Sequence, residues 1–368
     1  MEFKKLNFFY IFCLSLVIII IQYLCLYSFY DSNNFLFGDF GDDYNYINNF
    51  KYINNANITL IGLAQLGLIT PYNYILYLLV NAGGVFLYWL IEFLLFAISN
   101  FFFYKIAITC LNKKNAYLAL IIFLILPLRY IWLFGYYKDS LLLSLSIIFV
   151  FFFYFKRKAL VPLILGIPIF LIRPLLLGIL IGSGQKIRFN FKTLGLILTS
   201  IVILFYIFQE YLYFFRIERI EILMSKMNTL PFNSSGMLTI FYMPFLWVLT
   251  QVQPLFLAYN NGEVWHNISP VVQVDALLKL LLMPLIIKGL LNTRFYLKDK
   301  KISIILKLML VLSFPVAIGF LFLTNRHILI ILPWQIIFGF YVYQTKGYSI
   351  NLLFLYIMLT ITLNFLKL

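Results

Sequence analysis

Residues 8–30 read FFYIFCLSLVIIIIQYLCLYSFY and come shortly after Lys4 and Lys5. About 20 consecutive apolar residues suffice to cross the hydrocarbon core of a bilayer. This run is longer than the apolar stretch of a typical signal peptide and ends without a small-residue cleavage pattern. It reads as an uncleaved first span, with the N-terminus held on the cytoplasmic side by the two lysines.

Working outward from that run, the same rule marks further spans at 83–108, 116–134, 140–155, 194–208, 271–291, 302–323, 328–343 and 350–365. The stretch 159–184 is interrupted by Arg173-Pro174 and is flanked on both sides by basic clusters, Lys156-Arg157-Lys158 and Lys186 to Lys192. It reads as a broken helix or short hairpin with Arg173 at its tip. Residues 58–77, broken by Pro71, are assigned to the outer interface. The expectation is an all-α integral membrane protein, one polytopic domain over 1–368. It would have about ten transmembrane helices, an outer loop at about 31–72 and a large late periplasmic loop at about 209–270.

Composition agrees. Hydrophobic residues make up 63% of the chain and charged residues only 11%, and the 20% of aromatics suits lipid-facing and interfacial positions. In a soluble protein the net charge of +15 would suggest nucleic acid. Here the basic residues fall in short clusters between apolar runs, so the charge is assigned to orientation and no nucleic-acid partner is expected. Cys13, Cys25 and Cys110 have no metal-ligand spacing, and no motif implies a metal or cofactor. The abundance of Ile, Asn, Lys, Phe and Tyr is that of an AT-rich bacterial genome.

Candidate functional residues are the charges at the outer ends of spans, because charge near hydrocarbon is costly. Asp42 and Asp43, in Gly38-Asp39-Phe40-Gly41-Asp42-Asp43-Tyr44, are read either as general bases or as solvated loop residues. Arg129 and Lys138-Asp139-Ser140 bracket an outer turn. Asp139 is read either as a helix cap or, with Lys138, as part of an anion site. Arg173 must be paired, snorkelling or functional, and its fork suits phosphate. Asn325-Arg326-His327 offers a further cation and a group that titrates near neutrality. An outward site of this kind fits a lipid-linked pyrophosphate, with arginines on the anion and a carboxylate or His as base.

In their order along the chain, Asp42-Asp43-Tyr44-Asn45-Tyr46, Lys138-Asp139-Ser140, Lys156-Arg157-Lys158, Arg173-Pro174 and Arg326-His327 with Pro333 resemble bacterial surface-polysaccharide polymerases of the O-antigen (Wzy) type. The resemblance implies a membrane glycosyltransferase that polymerises lipid-linked repeat units from an undecaprenyl pyrophosphate carrier, in O-antigen or capsule biosynthesis. It would act at the periplasmic face of the inner membrane. The resemblance carries the substrate-binding role onto Arg173 and Arg326 only; Asp42, Asp43 and His327 as catalytic candidates, and Arg129, Lys138 and Asp139 as further substrate-binding candidates, rest on the reading of the residues themselves. The implied partners are the undecaprenyl-linked glycan, membrane lipid and a chain-length regulator or other polysaccharide-assembly protein. The early outer-loop aspartates also resemble those of C-superfamily glycosyltransferases that use a polyprenyl phosphate sugar. A lipid or polysaccharide transporter or flippase is the third expectation.

Overall fold

A computed structural model describes residues 7–27, 71–134, 138–183, 280–320 and 329–365, and within them the chain is helical. Helix α1 (Phe8–Tyr27) is capped by the side chain of Asn7, which accepts from the Phe8 N–H at 2.9 Å. It buries Ile11, Ser15 and Ile19, one face at helical spacing, and leaves Val17, Ile20, Ile21 and Leu24 exposed. An apolar outer face of this kind is what lipid covers.

Helix α2 (Pro71–Cys110) is the central element, packed against α1 and against the helices that follow. It is not continuous. Gly84 adopts φ 72, ψ −178, a backbone region open essentially to glycine alone, and Gly83 beside it is also non-helical. A Cβ on Gly84 would meet no atom within 4 Å, so strain there is purely conformational. Gly84→Ala is therefore expected to lower stability by about 1–3 kcal/mol. The check is the thermal midpoint of the detergent-solubilised variant against the parent.

Helix α3 (Lys113–Ile125) starts at Asn112, whose side chain accepts from Asn115 N at 2.9 Å, and stops at Leu126, held extended by the proline after it. Helix α4 (Pro127–Phe134) resumes at that proline. Helix α5 (Lys138–Val150) passes into one π-helical turn, Phe151–Lys156, which ends with Arg157 at φ 51. Helices α6 (Leu160–Ile172) and α7 (Pro174–Gly182) are separated by Arg173, which Pro174 forces out of helical geometry at φ −149, ψ 87. The two helices pack on each other. The Tyr154 hydroxyl, two residues before Lys156, donates to the carbonyls of Leu180 and Ile181. Thus α6 leaves the basic turn at 156–158 and α7 returns to it.

The remaining elements are α8 (Leu280–Leu291), the single turn α9 (Thr293–Tyr296), α10 (Lys300–Phe320), α11 (Leu332–Lys346) and α12 (Ile350–Phe365). Close approach of α8 and α11 rests on two glycines. A Cβ on Gly339 would meet Leu282 Cδ1 at 2.5 Å, and one on Gly289 would strike Phe338 and Val342.

The expectation of about ten spans is corrected. Among the described residues three helices are long and apolar enough to cross a membrane: Phe8–Cys25, Phe86–Cys110 and Lys138–Lys156. Three more, Leu160–Phe170, Leu280–Leu291 and Ile350–Thr362, are apolar but shorter. The physical reason is continuity. A 13-residue helix such as α3 or α6 is about 20 Å long, short of the roughly 30 Å hydrocarbon core. Apolar residues continue through the break at Leu126-Pro127, so hydropathy counts one span over 116–134 where the backbone makes two short helices. The expected span 194–208 and both outer loops, 31–72 up to Pro71 and 209–270, lie outside the described residues.

The basic segments gather at one end. Phe8 packs edge-on against Phe101 with ring centroids 5.0 Å apart, and Lys105 lies over the same Phe101 ring. Lys301 Nζ donates to the Thr109 carbonyl, Asn112 N to Gln344 Oε1, and Lys288 Nζ to the carbonyls of Lys346 and Gly347. The start of α1, the α2–α3 turn, the α8–α10 connection and the end of α11 therefore meet at a common basic end.

Candidate functional site

At the other end of α5, three consecutive polar residues, Lys138, Asp139 and Ser140, are buried in the first turn of the helix. Arg173 reaches them from the α6–α7 break, its Nη2 3.0 Å from Asp139 Oδ1. From the basic turn, α6 rises about 20 Å, and the long arginine side chain supplies the remaining distance. Asp139 is 1% exposed and Arg173 24%. The carboxylate is enclosed, while the arginine side chain is partly exposed.

Two helix N-termini meet there, those of α5 and α7, and both direct partial positive charge to this point. For Asp139 this is a favourable setting independent of its ion pair. Arg173 carries five N–H donors and Asp139 engages one edge of the fork, so donors remain for the oxygens of an anion. Lys138, the residue before Asp139, is a second cation in the same helical turn.

Glu92 on α2 is the residue that sequence reading missed. It is 1% exposed, with the hydroxyls of Tyr88 and Ser140 beside its carboxyl and no close hydrogen bond to either oxygen. Ser140 follows Asp139 in sequence, so Glu92 lies near the Asp139–Arg173 pair. The signal was present: Glu92 is the only carboxylate in the apolar run 83–108.

Arg129 takes a different place. It is 1% exposed, its Nη1 donates to the Phe123 carbonyl and its Nη2 to Asn100 Oδ1 at 2.8 Å. Its guanidinium carbon lies 4.2 Å from the centroid of the Phe96 ring and 3.4 Å from that of Phe123. Asn100 in turn donates to Ser15 Oγ at 3.1 Å. Arg129 therefore ties α1, α2, α3 and α4 together: it satisfies a carbonyl that the end of α3 leaves unpaired, and it sits between two aromatic faces. Of the residues singled out from sequence, Lys138, Asp139 and Arg173 are brought together. Asp42, Asp43, Arg326 and His327 lie outside the described residues.

Among the described residues no group of three or more His, Cys, Asp or Glu side chains is placed to share a metal ion. No family model, curated protein or solved structure matches the chain. The resemblance to O-antigen polymerases is accordingly withdrawn. It required about ten spans where the described residues hold three, and no relative supports it. The lipopolysaccharide and capsule assignment and the membrane glycosyltransferase activity go with it, in both the undecaprenyl pyrophosphate and the polyprenyl phosphate sugar forms. The transporter or flippase expectation, which rested on the same architecture, is also dropped.

Proposed function

We propose that the chain is a membrane-embedded protein that holds a lipid with an anionic head and a long apolar tail. The head would lie at Arg173 and Lys138, and the tail along α6. The carrying observation is the partly exposed side chain of Arg173, fixed by buried Asp139 at the end of an apolar helix. On that helix Leu160, Leu163, Ile164, Ile167 and Phe170 are exposed at helical spacing, and Arg173 follows at its end. A tail along this stripe brings its phosphate to the arginine. A phosphate or pyrophosphate ester suits the fork geometry, and a polyprenyl-phosphate-linked glycan is one such lipid.

The location that goes with this reading is the cytoplasmic membrane of a bacterium, with the N-terminus and the basic end in the cytoplasm. Its support is the segregation of Lys105, Lys113, Lys114, the 156–158 cluster and Lys298 to Lys301 away from the Asp139–Arg173 site.

Native mass spectrometry of the purified protein with polyprenyl phosphate tests the proposal, with uncharged polyprenol as control. Retention of the phosphate is expected to fall about tenfold or more in Arg173→Gln and in Lys138→Gln. Undiminished retention in both variants, or equal retention of polyprenol by the parent, overturns it.

A further inference from the structure

We propose that the connection 291–301, at the basic end, is an interfacial anchor that binds the acidic phospholipids of its own leaflet. It is a second lipid contact, distinct from the one at Arg173 and independent of it.

The connection is built as a rigid platform. Tyr296 is fully buried, packed edge-on against Phe338 at 5.4 Å and Tyr341 at 5.9 Å, with its hydroxyl 3.3 Å from Thr345 Oγ1. Asn292 Nδ2 donates to the Lys288 carbonyl and Thr293 Oγ1 to that of Leu290, closing the end of α8. Asp299 Oδ1 accepts from the backbone N–H of Lys301 and Ile302, capping α10, while Oδ2 accepts from the Tyr341 hydroxyl at 2.9 Å.

What the platform presents outward is of two kinds. Leu291, Phe295 and Leu297 are 74%, 49% and 43% exposed. Around them Arg294, Lys298, Lys300 and Lys301 are exposed as well, and Lys346 lies 5.0 Å over the Phe295 ring. Buried Tyr296 shows that the turn could enclose an aromatic ring, yet its neighbour Phe295 stays outside. Apolar side chains interleaved with cations, at the foot of apolar α8, match the boundary where acyl chains give way to headgroups.

The sign of the surface is unambiguous. Asp299 is the one acid in the connection, and its charge is used internally. Partial burial works against that charge, but the Tyr341 hydroxyl, the two backbone N–H groups and Lys301 outweigh it and hold the carboxyl below its ordinary range. Asp299 stays ionised at neutral pH as a cap beside Lys301, and among the described residues no ion pair engages Arg294, Lys298 or Lys300. Acidic lipid headgroups supply the missing negative charge, and no zwitterionic lipid does so as well.

The experiment uses the full chain in nanodiscs. Phe295→Trp keeps a large ring at an exposed position, and its emission is read as the difference from the parent. Quenching is expected from lipids brominated near the headgroup end of their chains, and little from acrylamide in the aqueous phase. In parallel, Lys298→Gln with Lys300→Gln is expected to reduce the preference for phosphatidylglycerol over phosphatidylcholine, measured on co-purified lipid, by about tenfold. Strong acrylamide quenching without bromine quenching would mean a solvated loop or a surface for an acidic protein, and would overturn the proposal. So would an unchanged lipid preference in the double variant.

Discussion

Arg129→Ala is expected to lower the stability of the helical bundle by about 3–5 kcal/mol, read as a shift of the unfolding midpoint in mixed micelles. The side chain fills a site between Phe96 and Phe123, so truncation opens a cavity. It also strips the Phe123 carbonyl and Asn100 Oδ1 of their donor in a place water does not reach. Arg129→Lys separates the two effects. It keeps charge and much of the volume, but an ammonium lacks the fork that serves both acceptors, so an intermediate loss of about 1.5–3 kcal/mol is expected. Wild-type stability in the alanine variant would show that the guanidinium ties nothing together.

Arg173→Ala is expected to destabilise by about 3 kcal/mol, the low end for breaking a buried ion pair because Arg173 is itself partly exposed. The loss comes chiefly from Asp139, which is left enclosed without the guanidinium beside it. Removing both partners should therefore be milder than the sum of the single changes, and Arg173→Ala with Asp139→Ala closes a double-mutant cycle. A coupling energy near zero would mean that the pair seen in the structure contributes no net interaction, and that Arg173 is available to a ligand at no structural penalty.

How much of this was legible in the sequence depended on the range of the interaction. The first span is a property of consecutive residues, 8 to 30, and needs no knowledge of neighbours. The break at Arg173 follows from the Pro174 ring acting on the residue before it, and that too is local. Leu126-Pro127 carries the same signal, but apolar residues on both sides hid it, and one expected span became α3 and α4. The role of Arg129 depends on Asn100 and Phe123, placed by tertiary packing across an apparently ordinary outer turn. Its position next to a turn suggested an anion site, whereas its partners are a carbonyl, an amide and two rings. Glu92 stands alone in its apolar run, yet only the packing of α5 against α2 shows Ser140 beside it.

The return of α7 to the turn from which α6 departs has a consequence for the bookkeeping of sides. A chain that departs from a turn and comes back to it makes no net crossing of the bundle, so the start of α6 and the end of α7 lie at the same end of it. Treated as one span, the stretch would invert the assigned side of every later segment. Treated as a hairpin, it leaves the end of α7 beside the basic turn at 156–158.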